Sequence, residues 1–500
     1  MADELETLVP AQGMVSAPAT TLFKIALAGV LFDIAANGQT PGVSAPTFLF
    51  VVAVLFWPEI VRSREDAVLL CAGVGFSVFA AVRAAPALVA LDLVVSLCLF
   101  ALAAIPDARS IFRAPLLSYF RKALILCMSG FRAPAFVLLP FGRAASRAHL
   151  GRARPWLRAA AIALPVVVIF GVLLASADRV FGDLVTPGLP HWSVGPFVGH
   201  VFFTALGIGA AATLSRATFG PRAPNVRLPW QPPSLGVAEW ISVLAGVDAL
   251  FALFVGVQFA VLFGGARRVR VTAGLTYAQY ARTGFIQLIV VAGLAVLVIL
   301  GAWDLGKRLN ARDRRVFLGL TTVMVGLCGV ILASALKRLM LYEGAFGFTL
   351  MRFAATVVIA WVAFVLLAVL AAAWRGARDR VVAAVLTGAV AALLVVNIVN
   401  PDRYIAQHNI ARYERTGRID IDYLGNAMSA DAVPAMVSAF TGISPFKGLP
   451  RADVLRLRAE LCARILLIEG SDDVRSWNAG RSAARSALRT VGITRDTCSG

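Results

Sequence analysis

Eleven stretches of this chain are apolar for long enough to cross a lipid bilayer, and that property leaves little choice of fold. They cover residues 21–36, 46–61, 67–82, 86–105, 159–177, 197–214, 238–263, 285–303, 316–336, 353–374 and 381–399. Hydrocarbon holds no water to bond a free N–H or C=O, so an open strand is excluded and each stretch is expected to be a helix. Trp57, Trp240, Trp303 and Trp374 fall near the ends of these stretches, where amphipathic rings settle. The expected fold is therefore all-α: a polytopic transmembrane helix bundle with a small helical extramembrane region at its C-terminal end.

Composition agrees. Only 15% of the 500 residues are charged, against about 25% in soluble domains, and the mean hydropathy is +0.79. The net charge of +19 would point to nucleic acid in a soluble protein. Here the arginines sit in short loops between apolar stretches, so topology accounts for them and no nucleic-acid partner is expected. The first twenty residues hold Asp3, Glu4 and Glu6 and no basic residue. A cleaved secretory signal starts with a positive region, so residues 1–20 read as a disordered tail.

The basic clusters fall on every second loop. Arg62 and Arg64 come first, then the Arg-rich 107–158 stretch, then Arg216, Arg222 and Arg227. Lys307 to Arg315 and Arg375 to Arg380 complete the series. The positive-inside bias places all of them in the cytoplasm, with the N-terminus inside and everything after Asn400 outside. Residues 123–141 complicate the parity. They are apolar apart from Arg132 and hold Pro134 and Pro140. With Arg121 and Lys122 beside them, an interfacial or re-entrant segment is the preferred reading; a true span would flip every later helix. The resulting division is a tail (1–20), a four-span bundle (21–105), a basic interfacial segment (106–158), a seven-span core (159–400) and a helical extracytoplasmic region (401–500).

Cys71, Cys98, Cys127 and Cys328 read as small core residues. Cys462 and Cys498 have the option of a disulfide if their region lies outside the cytoplasm. No CxxC occurs and His149, His191, His200 and His408 are far apart, so no metal and no cofactor is expected.

Polar chemistry gathers in three segments assigned to the outer side. In the first, Tyr277 and Tyr280 share a helix face and Arg282 sits at headgroup level. An aromatic belt with a snorkelling arginine is the plain alternative to a ligand site there. In the second, Arg338 and Tyr342 are four apart and expected to stack, followed by Glu343, Gly344, Gly347 and Arg352. Cations on the disfavoured side point to a specific partner, either Glu343 in a loop ion pair or an anionic ligand. In the third, Asn400-Pro401-Asp402 reads as an N-cap with Pro at the first helical position. It opens a helix carrying Tyr404, His408 and Arg412 that stands beside the membrane and can cap the first two. Further helix starts are read at Ser429 or Asp431, over 451–468 and over 473–490. Within the spans, Asp92 and Asp248, with Gln258 on the same helix as Asp248, are the candidate proton or cation groups; helix–helix hydrogen bonding is the alternative. Asp33 and Glu239 lie nearer the span ends. No catalytic residues are assigned, because no Gly-x-Ser-x-Gly elbow, Walker A loop or Rossmann glycine pattern occurs.

Several of these pieces recur in one order: Leu253 to Gln258 with Leu262 to Gly265, Thr276 to Phe285, Arg338 to Glu343, and Asn400-Pro401 through Asn409, Arg412 and Asp431 to Pro434. In that order the chain resembles the bacterial membrane proteins grouped as domain of unknown function 4173, with its relative 4153. The likeness covers the second half well and the first 150 residues only as apolar spans. It implies fold and a bacterial inner-membrane location, and no activity.

Three functions remain in ranked order. A non-enzymatic sensing or scaffolding component would use the outer Tyr/Arg site and the basic stretch to meet a membrane or envelope protein. A transporter of a small ion or anionic solute would use Asp92 and Asp248. A membrane enzyme would act on a lipid-linked substrate. No inverted repeat supports the second and no acid/base pair the third. The lipid bilayer is the one certain partner, and oligomeric state is not written in the sequence.

Overall fold

The computed structural model describes residues 16–106, 110–114, 116–147, 194–219, 237–263, 285–305, 310–441, 451–469 and 473–498. Among them there is no strand. The helices are α1 Ala19–Ala36, α2 Ser44–Ile60, α3 Arg64–Ser77, α4 Phe79–Val82, α5 Pro86–Ala104, α6 Leu116–Arg147, α7 Val194–Thr218, α8 Val237–Phe263 and α9 Phe285–Leu305. They continue as α10 Ala311–Phe346, α11 Leu350–Arg375, α12 Val381–Val399, α13 Pro401–Thr416, α14 Val433–Thr441, α15 Arg451–Glu469, α16 Ala479–Thr490 and α17 Arg495–Cys498. Among the described residues, nine helical stretches, Ser118–Pro140 of α6 included, are long and apolar enough to cross a membrane, and Ser44–Ile60 and Gln287–Trp303 are shorter apolar helices. The chain is a multi-pass membrane protein. The expected span at 159–177 lies outside the described residues.

The fold divides into two compact units. The first takes residues 1–108, 117–226 and 470–479; the second takes the rest. The first thus recruits α7 and a short C-terminal segment to the N-terminal helices, a grouping that sequence order does not reveal.

In the first unit α1 and α2 form an antiparallel pair joined by the Lys24–Glu59 ion pair at 2.6 Å. α7 runs antiparallel to α1. The two backbones close where glycines face each other: a Cβ on Gly207 would sit 2.7 Å from that of Phe32, and one on Gly29 would strike the Ile208 side chain. Arg62 ties one end together, donating to the carbonyls of Ala104 (3.2 Å) and Thr218 (2.9 Å). α6 meets this same end twice. Near its start, Lys122 donates to Leu102 and Ile105 carbonyls. Fourteen residues later the Phe136 carbonyl accepts from Ala17 N–H, and its ring lies 6.1 Å from Phe219. Fourteen residues of helix cover about 21 Å, so α6 crosses the end of the unit rather than running up its side. It is continuous through Pro134 and Pro140.

At the opposite end His200 Nδ1 and Asp33 Oδ2 are 2.7 Å apart. Residues 473–478 lie here. Asn478, fully buried, donates to the carbonyls of Ala80 and Arg83 at 2.9 and 2.8 Å. Arg475 donates to Ile34, and Gln39 bonds Asp473.

The second unit has one apolar core shared by α8, α9, α10 and α11, with Val381 joining from α12. α8 and α10 run parallel, because Trp240 and Phe317 meet near both helix starts, 5.7 Å apart. α9 returns between them in sequence, bringing Trp303 to the same Phe317 ring at 6.1 Å. Arg314 donates to the Trp374 carbonyl at 3.0 Å, so the basic start of α10 and the end of α11 share one end. α10 finishes at the other end, where α13 begins. Cys462 on α15 is disulfide-bonded to Cys498 on α17. The helix expected from residue 473 starts at Ala479, preceded by a single 3-10 turn, Val474–Ser476.

One expectation about the cysteines is corrected. Cys328 is buried, but Cys71, Cys98 and Cys127 are exposed. A lipid-facing surface is as apolar as a core, so hydropathy cannot separate the two.

Candidate functional site

The polar groups of the second unit converge on the turn between α10 and α11. α10 is stopped by Gly347, whose φ of +83° and ψ of 176° belong to a region open essentially to glycine alone. Its N–H closes onto the Glu343 carbonyl at 2.7 Å. Two residues on, Thr349 starts α11 by accepting from the Arg352 N–H. The three-residue turn leaves the last carbonyls of α10 without helical donors.

α13 supplies those donors. Asn400 starts it in a left-handed conformation (φ 57°), accepting from Arg403 N–H with Pro401 at the first position. That is the cap expected from the sequence. The helix then presents Tyr404, His408, Asn409 and Arg412 to the turn. Asn409 clasps Phe348 twice: Phe348 N–H donates to Oδ1 at 2.7 Å, and Nδ2 donates to the Phe348 carbonyl at 2.9 Å. Arg412 donates from Nε to Gly344 (3.1 Å), from Nη2 to Ala345 (2.6 Å) and from Nη1 to Arg418 (3.2 Å). Burial first, then the neighbouring Arg418 and Arg352 charges, hold this guanidinium below the usual arginine range. The carbonyls it meets carry the negative end of the α10 dipole, which offsets that cost.

Arg352 reaches back from α11. It donates to the Gly347 carbonyl and lies over the Tyr342 ring at 4.1 Å. The cation on Tyr342 is therefore Arg352, ten residues away, and not the helical neighbour Arg338, which is half-buried one turn earlier on α10. Glu343 is buried beside this group. Its Oε1 meets no donor, and Arg352 is the charge within its reach. The guanidinium faces the ring of Tyr342, a packing contact with no proton-transfer geometry.

Around the cluster, His408 Nδ1 meets its own helix at the Tyr404 carbonyl, 2.8 Å away. The Tyr404 and His408 rings stack at 3.8 Å, and Phe348 stands edge-on to Tyr404 at 5.8 Å. Tyr423 closes the other flank. Its hydroxyl accepts from Leu350 N–H at 2.8 Å. Burial, with Asp402 and Asp420 acting in the same sense, pushes this phenol up, against the Leu350 bond and Arg352. Asp402 is buried and accepts from Ser429 N–H at 2.8 Å through Oδ2.

Of the residues singled out in the sequence, Tyr342, Glu343, Arg352, Asn400, His408 and Arg412 thus gather at one end of the second unit. Tyr277, Tyr280 and Arg282 lie outside the described residues. Asp92 is buried on α5 of the first unit and Asp248 on α8 of the second; Gln258 is on α8 too. Phe348, Asn409 and Tyr423 do as much to build the cluster as the residues singled out. The sequence signal for the first two was Gly347 alone, a glycine whose added Cβ would lie 2.7 Å from Asn409 Oδ1.

A family model described as a domain of unknown function, 4153, matches residues 70–439. It is the second of the two related groups named above, and it covers every member of the cluster. No curated protein and no solved structure matches the chain.

Proposed function

This chain belongs to the domain of unknown function 4153 family, and on that premise, which brings no activity with it, we propose that it is a sensing or scaffolding component of the bacterial inner membrane. On this reading its outer polar cluster fixes the C-terminal helices against the second bundle. The observation that carries it is how both arginines are used. Arg412 gives its donors to the α10 carbonyls of Gly344 and Ala345 and to Arg418, and Arg352 donates to Gly347, which caps α10, while its plane lies on the Tyr342 ring. A site built to bind an anion keeps its guanidinium donors for the anion. Glu343 Oε1 and Asp402 Oδ1, which meet no donor among the described residues, are left for a ligand or partner to meet.

Orientation follows from two arguments that support each other. No described helix after Asn400 is a candidate span, and the region that follows carries the Cys462–Cys498 disulfide, which belongs in an oxidising compartment. In the first unit, the end opposite Asp33 and His200 carries Arg62, Arg64, Lys122 and Arg216, as the positive-inside bias requires of a cytoplasmic face. α6 lying across that end fits an interfacial helix and leaves the parity unchanged. The N-terminus is then inside and the C-terminal region outside.

The test compares Arg412→Gln with Glu343→Gln in cells lacking the native gene. Fixing the C-terminal helices is the function if Arg412→Gln releases residues 401–498 to an external protease and reproduces the deletion phenotype, while Glu343→Gln does neither. Loss of function in Glu343→Gln with the region still protected refutes the scaffold and makes the cluster a binding site. Protection from external protease even after Arg412→Gln, with cleavage only in broken cells, refutes the orientation.

A further inference from the structure

The apolar core of the second unit contains one acid that nothing in the outer cluster uses. Asp248 stands in the middle of α8, 6% exposed, and among the described residues no protein donor reaches either of its carboxyl oxygens. Its position relative to α10 follows from the parallel packing of the two helices. Trp240 meets Phe317; two turns further along, Asp248 comes within electrostatic reach of the buried thiol of Cys328. Thr321 lies seven residues before Cys328, on the same face of α10. It is fully buried and its hydroxyl also meets no protein partner. Three polar groups therefore occupy the α8–α10 region in an otherwise aliphatic interior.

Among the described residues, the surroundings supply no counter-charge. α10 has no charged residue between Phe317 and Leu336. α9 contributes Leu288, Ala292, Ala295, Val296 and Ile299 to the same core, and α11 contributes Ile359, Val362, Val365 and Leu366. Cys328 is the one titratable group that these packed stretches bring to Asp248 among the described residues. On α8 itself the other acid is Glu239, nine residues back at the helix start. A carboxylate in such a place has neither a cation nor hydrogen bonds to replace its hydration, and in lipid the unfavourable reference is harsher still. A carboxylic acid removes the charge at once and leaves only a neutral O–H to accommodate.

We propose that Asp248, buried in the apolar core shared by α8 to α11, forms a proton-binding site in the membrane interior, so that the resting protein carries a neutral acid at this position. The ligand class is the proton itself. The site is independent of the outer cluster, and its failure would leave the scaffold reading untouched. The alternative is a helix-packing role, in which Asp248 is an ionised or hydrogen-bonded strut between α8 and α10.

Infrared difference spectra between the wild type and Asp248→Asn, both full-length in lipid nanodiscs at neutral pH, separate the two. The proton site gives a carboxylic-acid carbonyl band that is lost in the variant and shifts on transfer to heavy water. A difference spectrum containing only carboxylate bands overturns the proposal. Asp248→Leu provides a second measurement that does not depend on spectral assignment. A neutral, unbonded acid is replaced by leucine without loss, so the melting temperature is expected to hold or rise. A fall of several degrees identifies a structural strut and overturns the proposal as well.

Discussion

Gly347→Ala should cost far more than a surface loop substitution, and the structure gives the size. The backbone there has φ of +83° and ψ of 176°, which for a residue with a Cβ costs about 1–3 kcal/mol. The new Cβ would also stand 2.7 Å from Asn409 Oδ1, closer than such atoms come, so Asn409 must withdraw. That breaks both of its bonds to Phe348, about 1 kcal/mol each. The sum is about 3–5 kcal/mol. Asn409→Ala alone loses only the two bonds, about 2 kcal/mol. In that background Gly347→Ala has no clash left to relieve and costs only the backbone strain. The double variant should therefore be less damaged than the two singles together, by about 2 kcal/mol. Reversible unfolding of the four proteins in mixed micelles measures the cycle. Costs that add to within about 0.5 kcal/mol, or a Gly347→Ala cost below about 1 kcal/mol, would refute the proposed clasp between α13 and the turn.

Four shorter predictions follow from the same contacts. Arg352→Lys keeps the charge but not the plane stacked on Tyr342; it should lose about 1–2 kcal/mol, read as faster hydrogen exchange over 347–352. Cys498→Ser opens a loop of 36 residues and should lower stability by about 4 kcal/mol in the chain-entropy picture, with reductant having the same effect on the wild type and none on the variant. Asp473 is pulled down to about 2 from 3.8 by its hydrogen bonds from Arg475, so its folded form binds the proton more weakly than its unfolded form. Its contribution is complete above about pH 4 and lost as pH falls towards 2; a tryptophan signal from Trp477 should change over that window and not in Asp473→Asn. Asn478→Ala strips donors from two carbonyls, Ala80 and Arg83, for about 2–4 kcal/mol, and should expose 473–478 to exchange while leaving α13 protected.

The existence of the helices was legible because a bilayer allows almost nothing else for sixteen or more apolar residues in a row. Local cap chemistry was legible too. Asn400-Pro401 and Ser429 both start helices with their side chains accepting from the backbone, as residue type and spacing require. What faces what was not legible. In water the apolar stripe of a helix names its buried side, but Cys71, Cys98 and Cys127 are apolar and outward because lipid wets them. The arginine contacts failed for a different reason. Arg338 at four residues from Tyr342 was the obvious stack, yet Arg352 takes the ring. It does so because the turn at 347–349 folds α11 back, and spacing rules apply only within one helix. The acceptors of Arg412 are backbone carbonyls, which have no letter in the sequence at all.

Polar groups carry the specificity here because the hydrophobic term cannot. Lipid tails are as apolar as leucine, so one aliphatic face gains little by choosing a particular neighbour. In the first unit the choice between α1, α2 and α7 is made by Lys24 on Glu59, by Asp33 beside His200, and by two glycines that let α1 and α7 touch. In the second, the register of α13 on the α10–α11 turn is set by one amide and two guanidinium groups reading carbonyls. Each of these groups satisfies another group that would otherwise be stranded. Deleting one therefore leaves its partner exposed to a solvent that cannot bond it, and the damage exceeds the value of the contact itself. Asp248 breaks the pattern, since among the described residues no protein group answers either of its carboxyl oxygens. Glu343 and Thr321 each leave a single oxygen unanswered, but Asp248 leaves a whole carboxyl unmet deep in an aliphatic core, and that is the place where something other than packing is required.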